Sequence, residues 1–294
     1  MSIAIRILDK PGEIEAVEDL QLQIWPGSEI DVVPMHMLLT VAQNGGLLLG
    51  AYDEDKLVGF VYGFLAMGEH EGKPQIKHCS HQLGVLPEYR GANIGFQLKR
   101  AQWQMVRKQG IDWITWTYDP LLSTNAKLNI AKLGAICDIY KREVYGDMRD
   151  GLNAGLPSDR FQVDWWLVST RVNQHLSKKP RLQLDLAHYL DAEAQKVNHT
   201  DLDGGNWATP QKDILQLPND PAEHPALLLV EIPADFQALR AAERELAYTW
   251  RIHTRKIFED LFAIKYLVTD FVYLPGTNPR SYYVLSKGDV TLGG

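Results

Sequence analysis

The sequence reads as an α/β protein, and three observations point that way. Strand-like and helix-like runs alternate from the N-terminus to about residue 168, the order expected when helices cover a central sheet. Residues 83–99, LGVLPEYRGANIGFQLK, pass from an apolar strand through an Arg-Gly-rich turn into an amphipathic helix. Past a turn-rich stretch, a strand, a long helix and two further strands fill residues 226–285, which reads as an α+β unit.

The elements follow in order. Ile3, Ile5 and Ile7 alternate with Ala4 and Arg6, a strand over 3–8. Ile14, Val17, Leu20 (or Gln21) and Ile24 set a helical period over 13–25, and 34–43 form a second, shorter helix. Residues 47–52 and 57–66 are strand-like and flank the acidic turn Asp53-Glu54-Asp55-Lys56, the pattern of a hairpin. A strand over 75–85 comes next. In the helix over 91–109, Ile94, Leu98, Ala101 and Met105 fall on one stripe, and Gly110 ends it. Residues 111–118 form a strand stopped by Asp119-Pro120. A helix over 123–133 ends at Gly134, and 135–144 and 161–168 read as extended. Turn-rich segments at 177–180, 201–205 and 218–225 mark 173–225 as irregular connecting structure. A strand over 226–232, a long helix over 233–263 and strands over 266–273 and 282–285 complete the chain.

Composition narrows the function. The 294 residues are 45% hydrophobic and 23% charged, typical of a folded globular chain. A net charge of −7 without a basic block argues against nucleic acid as the main partner. The longest apolar runs fall far short of the ~20 residues that span a bilayer, so no membrane role is expected. The N-terminus has no cleavable apolar core, and Cys79 and Cys137 are too few for a disulfide framework, so cytoplasmic residence is expected.

The turn after residue 85 carries the chemistry. Backbone N–H groups at a helix start have no partner within the helix, and the dipole adds partial positive charge there. Such a site suits a phosphate or pyrophosphate. A structural turn with Gly91 and Gly95 allowing close packing is the alternative. A dinucleotide site fits less well, because it needs an acidic residue at the end of the next strand, and Asp112 lies at its start.

Arg90, Gly91, Ala92, Asn93, Ile94 and Gly95 resemble the acetyl-CoA-binding segment of the GNAT N-acetyltransferase superfamily, Arg/Gln-x-x-Gly-x-Gly/Ala after the fourth strand. Asn93 stands where that family usually has its first signature Gly. Asn tolerates the left-handed backbone region, although its side chain takes part of the space a phosphate would use. The resemblance covers residues 3–170 and implies a mixed central sheet flanked by helices. Together with the turn-rich stretch, this divides the chain into a GNAT-like domain over 1–172, the connecting segment 173–225 and a C-terminal α+β domain over 226–294, for which a truncated second copy of the first core is an alternative.

The resemblance further implies acetyl-CoA, or another acyl-CoA, as co-substrate and no metal. Leu83, Gly84 and Val85 would face the pantetheine arm, and the N–H groups of Gly91 through Gly95 the pyrophosphate. Asn125 and Asn129, one helical turn apart, could reach the cofactor or instead cap and solvate their helix. The amine would attack the thioester directly, aided by a base and an acid. The family's usual base position falls on Cys79. His81, on the same strand face, is the candidate base, with a partner-satisfied structural histidine as alternative. His78 lies on the opposite face, which argues against a joint metal site. The family's usual acid, a Tyr, falls on Ile130; Tyr118, Tyr140 and Tyr145 are other phenols without that position.

Arg251 and Arg255, one turn apart on the long helix with Glu243, Glu245 and Glu259, read as a solvated, salt-bridged face, with an anion site as the alternative. Trp113, Trp116, Trp165 and Trp166 read as core. Residues 68–74 and 146–160 read as loops that recognise the acceptor. The expected function is acyl transfer from CoA to an amine of a small molecule or protein. A non-catalytic module that binds CoA or a metabolite is the competing reading.

Overall fold

The computed structural model describes residues 2–26, 31–146, 155–177, 184–201 and 207–287. Residues 147–154 of the loop expected at 146–160, 178–180 of the first turn-rich segment and 202–205 of the second lie outside the described residues. The elements in chain order are β1 (Ile3–Ile7), α1 (Pro11–Ile24), α2 (Met35–Gln43), β2 (Leu47–Asp53), β3 (Lys56–His70), β4 (Lys73–Val85), α3 (Ile94–Lys108), β5 (Trp113–Tyr118), α4 (Ser123–Ala126), β6 (Ile136–Lys141) and β7 (Arg160–Trp166). They continue with α5 (Thr170–Leu176), α6 (Leu186–Asp191), β8 (Gln195–Lys196), β9 (Asn198–Asp201), β10 (Thr209–Ile214), β11 (Leu227–Ile232), α7 (Phe236–Ala242), α8 (Arg244–Ala263), β12 (Tyr266–Leu274) and β13 (Arg280–Lys287). Two compact units result. The first holds residues 1–116 and 164–168, and the second 117–147, 155–163 and 169–294, each to the extent described.

In the first unit the strand order is β1-β2-β3-β4-β5-β7. Pairing is antiparallel from β1 to β4 and parallel between β4 and β5, where the α3 crossover intervenes. This is the mixed central sheet that the resemblance implies. Residues 68–74, expected as a loop, instead belong to the β3–β4 hairpin, with Gly68 opposite Gln75 and His70 opposite Lys73. Its turn, Glu71 at φ 50° and Gly72 at φ 73°, has the two left-handed residues of a tight hairpin connection. On α1 the residues Ile14, Val17, Leu20, Gln21 and Ile24 are buried, matching the sequence period.

Helix α3 departs from its expected stripe. Ile94 and Leu98 are buried, but Ala101 and Met105 are only half-buried, and Lys99, Gln102 and Val106 take the inner face. Two polar residues therefore sit where periodicity reads only apolar ones. Trp113, Trp116 and Trp165 are buried, and Trp166 is half-buried and stacks on Trp113 at 5.1 Å.

In the second unit the strand order is β7-β6-β12-β13-β11-β8, with β9 and β10 forming a separate antiparallel pair. The core centres on Phe161, Phe258, Phe271 and Tyr283. Three expectations change here. The stretch 173–225 carries short helices and strands, because β8 finds a partner in β11, with Gln195 opposite Leu228. The long helix is two helices, broken where Glu243 leaves helical geometry at φ −138° and ψ 83°, and Asp235 caps the first by accepting from the Ala238 N–H at 3.0 Å. The Arg251–Arg255 face is not solvated. Arg251 is 1% exposed and donates to Asp119 at 2.5 Å, and Arg255 donates to both Asp159 oxygens at 2.8 and 2.9 Å. Among the described residues no helix is long and apolar enough to cross a membrane.

Candidate functional site

The candidate site lies in the first unit, where β4 gives way to α3. A short 3₁₀ turn over Pro87–Tyr89 follows β4; Tyr89 donates to Asp53 at 3.3 Å, and Lys56 meets Glu88 at 3.4 Å. Arg90 is exposed, and its Nε donates to the Val85 carbonyl at 3.3 Å, which ties the turn back to the strand. Gly91 stands at φ 85° and Asn93 at φ 61°, ψ 19°. Asn93 thus adopts the left-handed conformation that its residue type tolerates. A Cβ at Gly91 would meet no atom within 4 Å, so the space in front of this backbone is open.

Helix α3 begins at Ile94, and the Gln97 N–H bonds the Asn93 carbonyl at 3.2 Å. The N–H groups of the preceding first-turn residues stand outside that ladder, at the positive end of a 15-residue helix. Two left-handed residues, open space and a helix start together fit a phosphate group.

The edge of β4 continues the site. Strand β4 pairs with β5 only at His78–Ile114 and Cys79–Thr115, whereas its pairing with β3 runs on to Val85. Over residues 80–85 the peptide groups that turn away from β3 therefore face no β5 partner. An extended chain carrying amides can bond to such an edge in the manner of an added strand. Leu83 and Val85 are half-buried along it. Gly84 has a packing role as well, since a Cβ there would lie 2.7 Å from Ile24 and 2.9 Å from Trp25 of the α1 end.

A β-bulge gives β4 its two faces. Tyr62 pairs with Gln82 and Gly63 with Ser80, so His81 is the extra residue. Cys79 and His81 share one face, as the alternation predicts. The His81 ring lies 5.9 Å from Tyr62 and 6.0 Å from Phe64 between ring centroids, and these neighbours desolvate it and lower its pKa while its outer edge stays exposed. Gln82 Oε1, one residue on, is buried with no hydrogen-bond partner among the described residues. That orphaned acceptor suits a ligand that brings an N–H donor.

The opposite face holds a buried polar cluster that sequence periodicity does not flag. Lys99 reaches in from α3, is 2% exposed, and donates to Ser80 Oγ at 2.9 Å and Gln102 Oε1 at 3.0 Å. Its Nζ stands 3.5 Å from the Trp116 ring centroid and 5.7 Å from that of Trp165. Gln102 in turn meets His78 Nε2 at 3.2 Å. Burial lowers the Lys99 pKa well below that of an ordinary lysine. Burial, and then the nearby Lys99 charge, push His78 down to about 3, so it is neutral at physiological pH. No sequence pattern flags this cluster, because a lysine in an amphipathic helix reads as solvated.

Other expected residues fall in the second unit. Asn125 is half-buried on α4, and Asn129 is buried in the π-helical turn Lys127–Lys132 that continues it, so the solvated face expected there does not extend to Asn129. Ile130 is fully buried in that unit's core. Tyr118 is engaged with Tyr283 at 3.0 Å and Tyr140 donates to Asp159 at 2.7 Å; burial raises both phenol pKa values, whereas Tyr145 is exposed. Among the described residues no group of three or more His, Cys, Asp or Glu is placed to hold a metal ion.

Residues 14–126, which include the turn and β4, match the family model described as Acetyltransferase (GNAT) family. Solved structures similar to the chain include the ribosomal-protein-S18-alanine N-acetyltransferase from Escherichia coli, at 12% identity over 56% of this chain and 94% of that one, TM-score 0.43. Arabidopsis thaliana Naa50 in complex with the bisubstrate analogue CoA-Ac-MVNAL is similar at 19% identity over 56% of this chain and 98% of that one, TM-score 0.44. The IAA acetyltransferase from Bacillus cereus ATCC 14579 is similar at 16% identity over 56% of this chain and 99% of that one, TM-score 0.41. No curated protein matches the chain.

Proposed function

We propose, on the match of residues 14–126 to the GNAT acetyltransferase family model, that this protein moves an acetyl or other acyl group from CoA to an amine of a small molecule or a protein. The observation that carries this reading is the continuity of two ligand-binding surfaces: the open turn with Gly91 at φ 85° and the unpaired edge of β4 that leads into it. In this reading the backbone N–H groups from Gly91 through Gly95 (Ala92, Asn93 and Ile94 between them) hold the pyrophosphate, and Arg90 adds a cation beside it. The edge from Leu83 to Val85 bonds the pantetheine arm.

The acceptor amine approaches on the His81 face. His81 is neutral at pH 7, because its neighbours lower its pKa below the ordinary 6.5, and it accepts the proton that the amine sheds as it adds to the thioester. Gln82 Oε1 offers the amine a hydrogen-bond acceptor on the way. Alignment of amine and thioester supplies the remaining acceleration.

Calorimetry with acetyl-CoA tests the reading. The wild-type protein should bind, and Gly95→Asp should weaken binding greatly by crowding and like charge at the helix start. A folded protein that gives no heat at millimolar acetyl-CoA overturns it. A second reading, a module that binds CoA without catalysis, is favoured by one observation: Ile130 is buried core where the family usually has its phenol. Binding without release of free CoA thiol across a panel of amines would select that reading.

A further inference from the structure

We propose that Ser80, backed by Lys99, protonates the sulfur of CoA as it leaves, on the face of β4 opposite His81. The inference rests on the acyl-transfer reading and adds to it the acid that the position of Ile130 does not provide.

Three observations carry it. The first is hydrogen-bond direction. Ser80 Oγ accepts the Lys99 N–H at 2.9 Å, and among the described residues the Ser80 O–H has no acceptor of its own. A hydroxyl that accepts from a cation is polarised to donate, and here the donor hydrogen is left over. The second is reach. From Val85 back to Ser80 the strand covers about 17 Å at about 3.3 Å per residue. An extended pantetheine arm has much the same length, so an arm that starts at the turn and follows the free edge ends beside Ser80. There β5 closes on β4, with Cys79 opposite Thr115.

The third is the setting of Lys99. It is buried on Ser80, Gln102 and the Trp116 ring, and among the described residues it pairs with no carboxylate. Burying an ammonium without a counter-ion disfavours its charged form. Such a lysine gives up a proton more readily than a solvated one, in keeping with its lowered pKa. Of the other titratable groups on β4, His78, held neutral, faces it, and the Cys79 thiol acts on it electrostatically from the opposite face; Trp116 and Trp165 face it from β5 and β7.

The step balances. The amine nitrogen bonds to the thioester carbon, the C–S bond breaks, and the electron pair passes to sulfur. Sulfur takes the Ser80 hydroxyl proton, and the Lys99 ammonium returns a proton to the Ser80 oxygen. The proton lost by the amine leaves through His81 to solvent, and solvent recharges Lys99 once CoA departs. Turnover therefore falls as pH rises through the lowered Lys99 pKa.

Calorimetry with CoA and desulfo-CoA across pH 6–9, read at the pH where the two differ most, isolates the sulfur. The wild-type protein should bind CoA about tenfold or more tighter than desulfo-CoA, the worth of a charge-assisted hydrogen bond to the thiolate. Ser80→Ala and Lys99→Met should bind the two equally while keeping wild-type affinity for desulfo-CoA. Ser80→Ala removes one oxygen only, which keeps the test decisive if Lys99→Met does not fold. In turnover, Lys99→Met should lose the basic limb of the kcat profile. No sulfur preference in the wild-type protein, or a wild-type preference retained in Ser80→Ala, overturns the proposal. A wild-type protein that binds neither ligand fails the acyl-transfer reading instead.

Discussion

Replacing Gly91 by Ala separates the structural role of the turn from its binding role. At φ 85° an L-residue carries a left-handed penalty of about 1–2 kcal/mol. No atom lies within 4 Å of the added Cβ, so no clash adds to that cost. The substitution also removes freedom from the unfolded chain, but at an incompatible φ this does not offset the strain. The expected net loss is about 1 kcal/mol, read in urea as a lower midpoint with an unchanged slope. Binding should suffer more. The methyl group occupies the open space from which a phosphate would approach the backbone, and the loss of one charge-assisted N–H bond of about 1.5–3 kcal/mol corresponds to about 10- to 150-fold in acetyl-CoA affinity. Denaturation and calorimetry on the same preparation give both numbers. Stability that falls while affinity stays constant would refute phosphate approach at Gly91. Unchanged stability would refute the claim that this backbone needs glycine.

His81→Ala should lower acetyl transfer about 10²-fold with acetyl-CoA affinity unchanged. Because the Tyr62 and Phe64 rings desolvate His81 and lower its pKa, the wild-type acid limb should lie below the ordinary pH 6.5, and the mutational loss should shrink at high pH, where the amine is already neutral; full activity from pH 6 to 9 removes His81 from the mechanism. Asp119→Ala should destabilise the second unit by about 3–5 kcal/mol, since it strands the Arg251 guanidinium in the core, and a loss below about 1 kcal/mol in urea denaturation would show the pair to be dispensable.

Much of the first unit was legible in the sequence. The α1 stripe from Ile14 to Ile24 is buried as its spacing predicts, and Asp53–Lys56 turns a hairpin. Asn93 takes the left-handed conformation expected of its residue type. The misreadings share one cause. Periodicity misses Lys99 and Gln102 on α3 and reads Arg251 and Arg255 as a solvated face, because it treats a polar side chain as a solvent-facing one. A buried polar group breaks that rule whenever another element supplies its partner. The break at Glu243 escaped for a related reason: no Gly or Pro marks it, and the apolar period continues through it into α8.

By itself the sequence determined the local device, a strand, a turn and a helix within residues 83–99, because turn chemistry and helix starts depend on neighbours a few residues away. Only the tertiary structure decided what stands on either side of β4. Ser80 meets Lys99 across 19 residues of sequence, and Asp119 meets Arg251 across 132. Desolvation and partnership set the protonation and reactivity of such groups, and both follow from where the chain returns in space rather than from which residues adjoin along it.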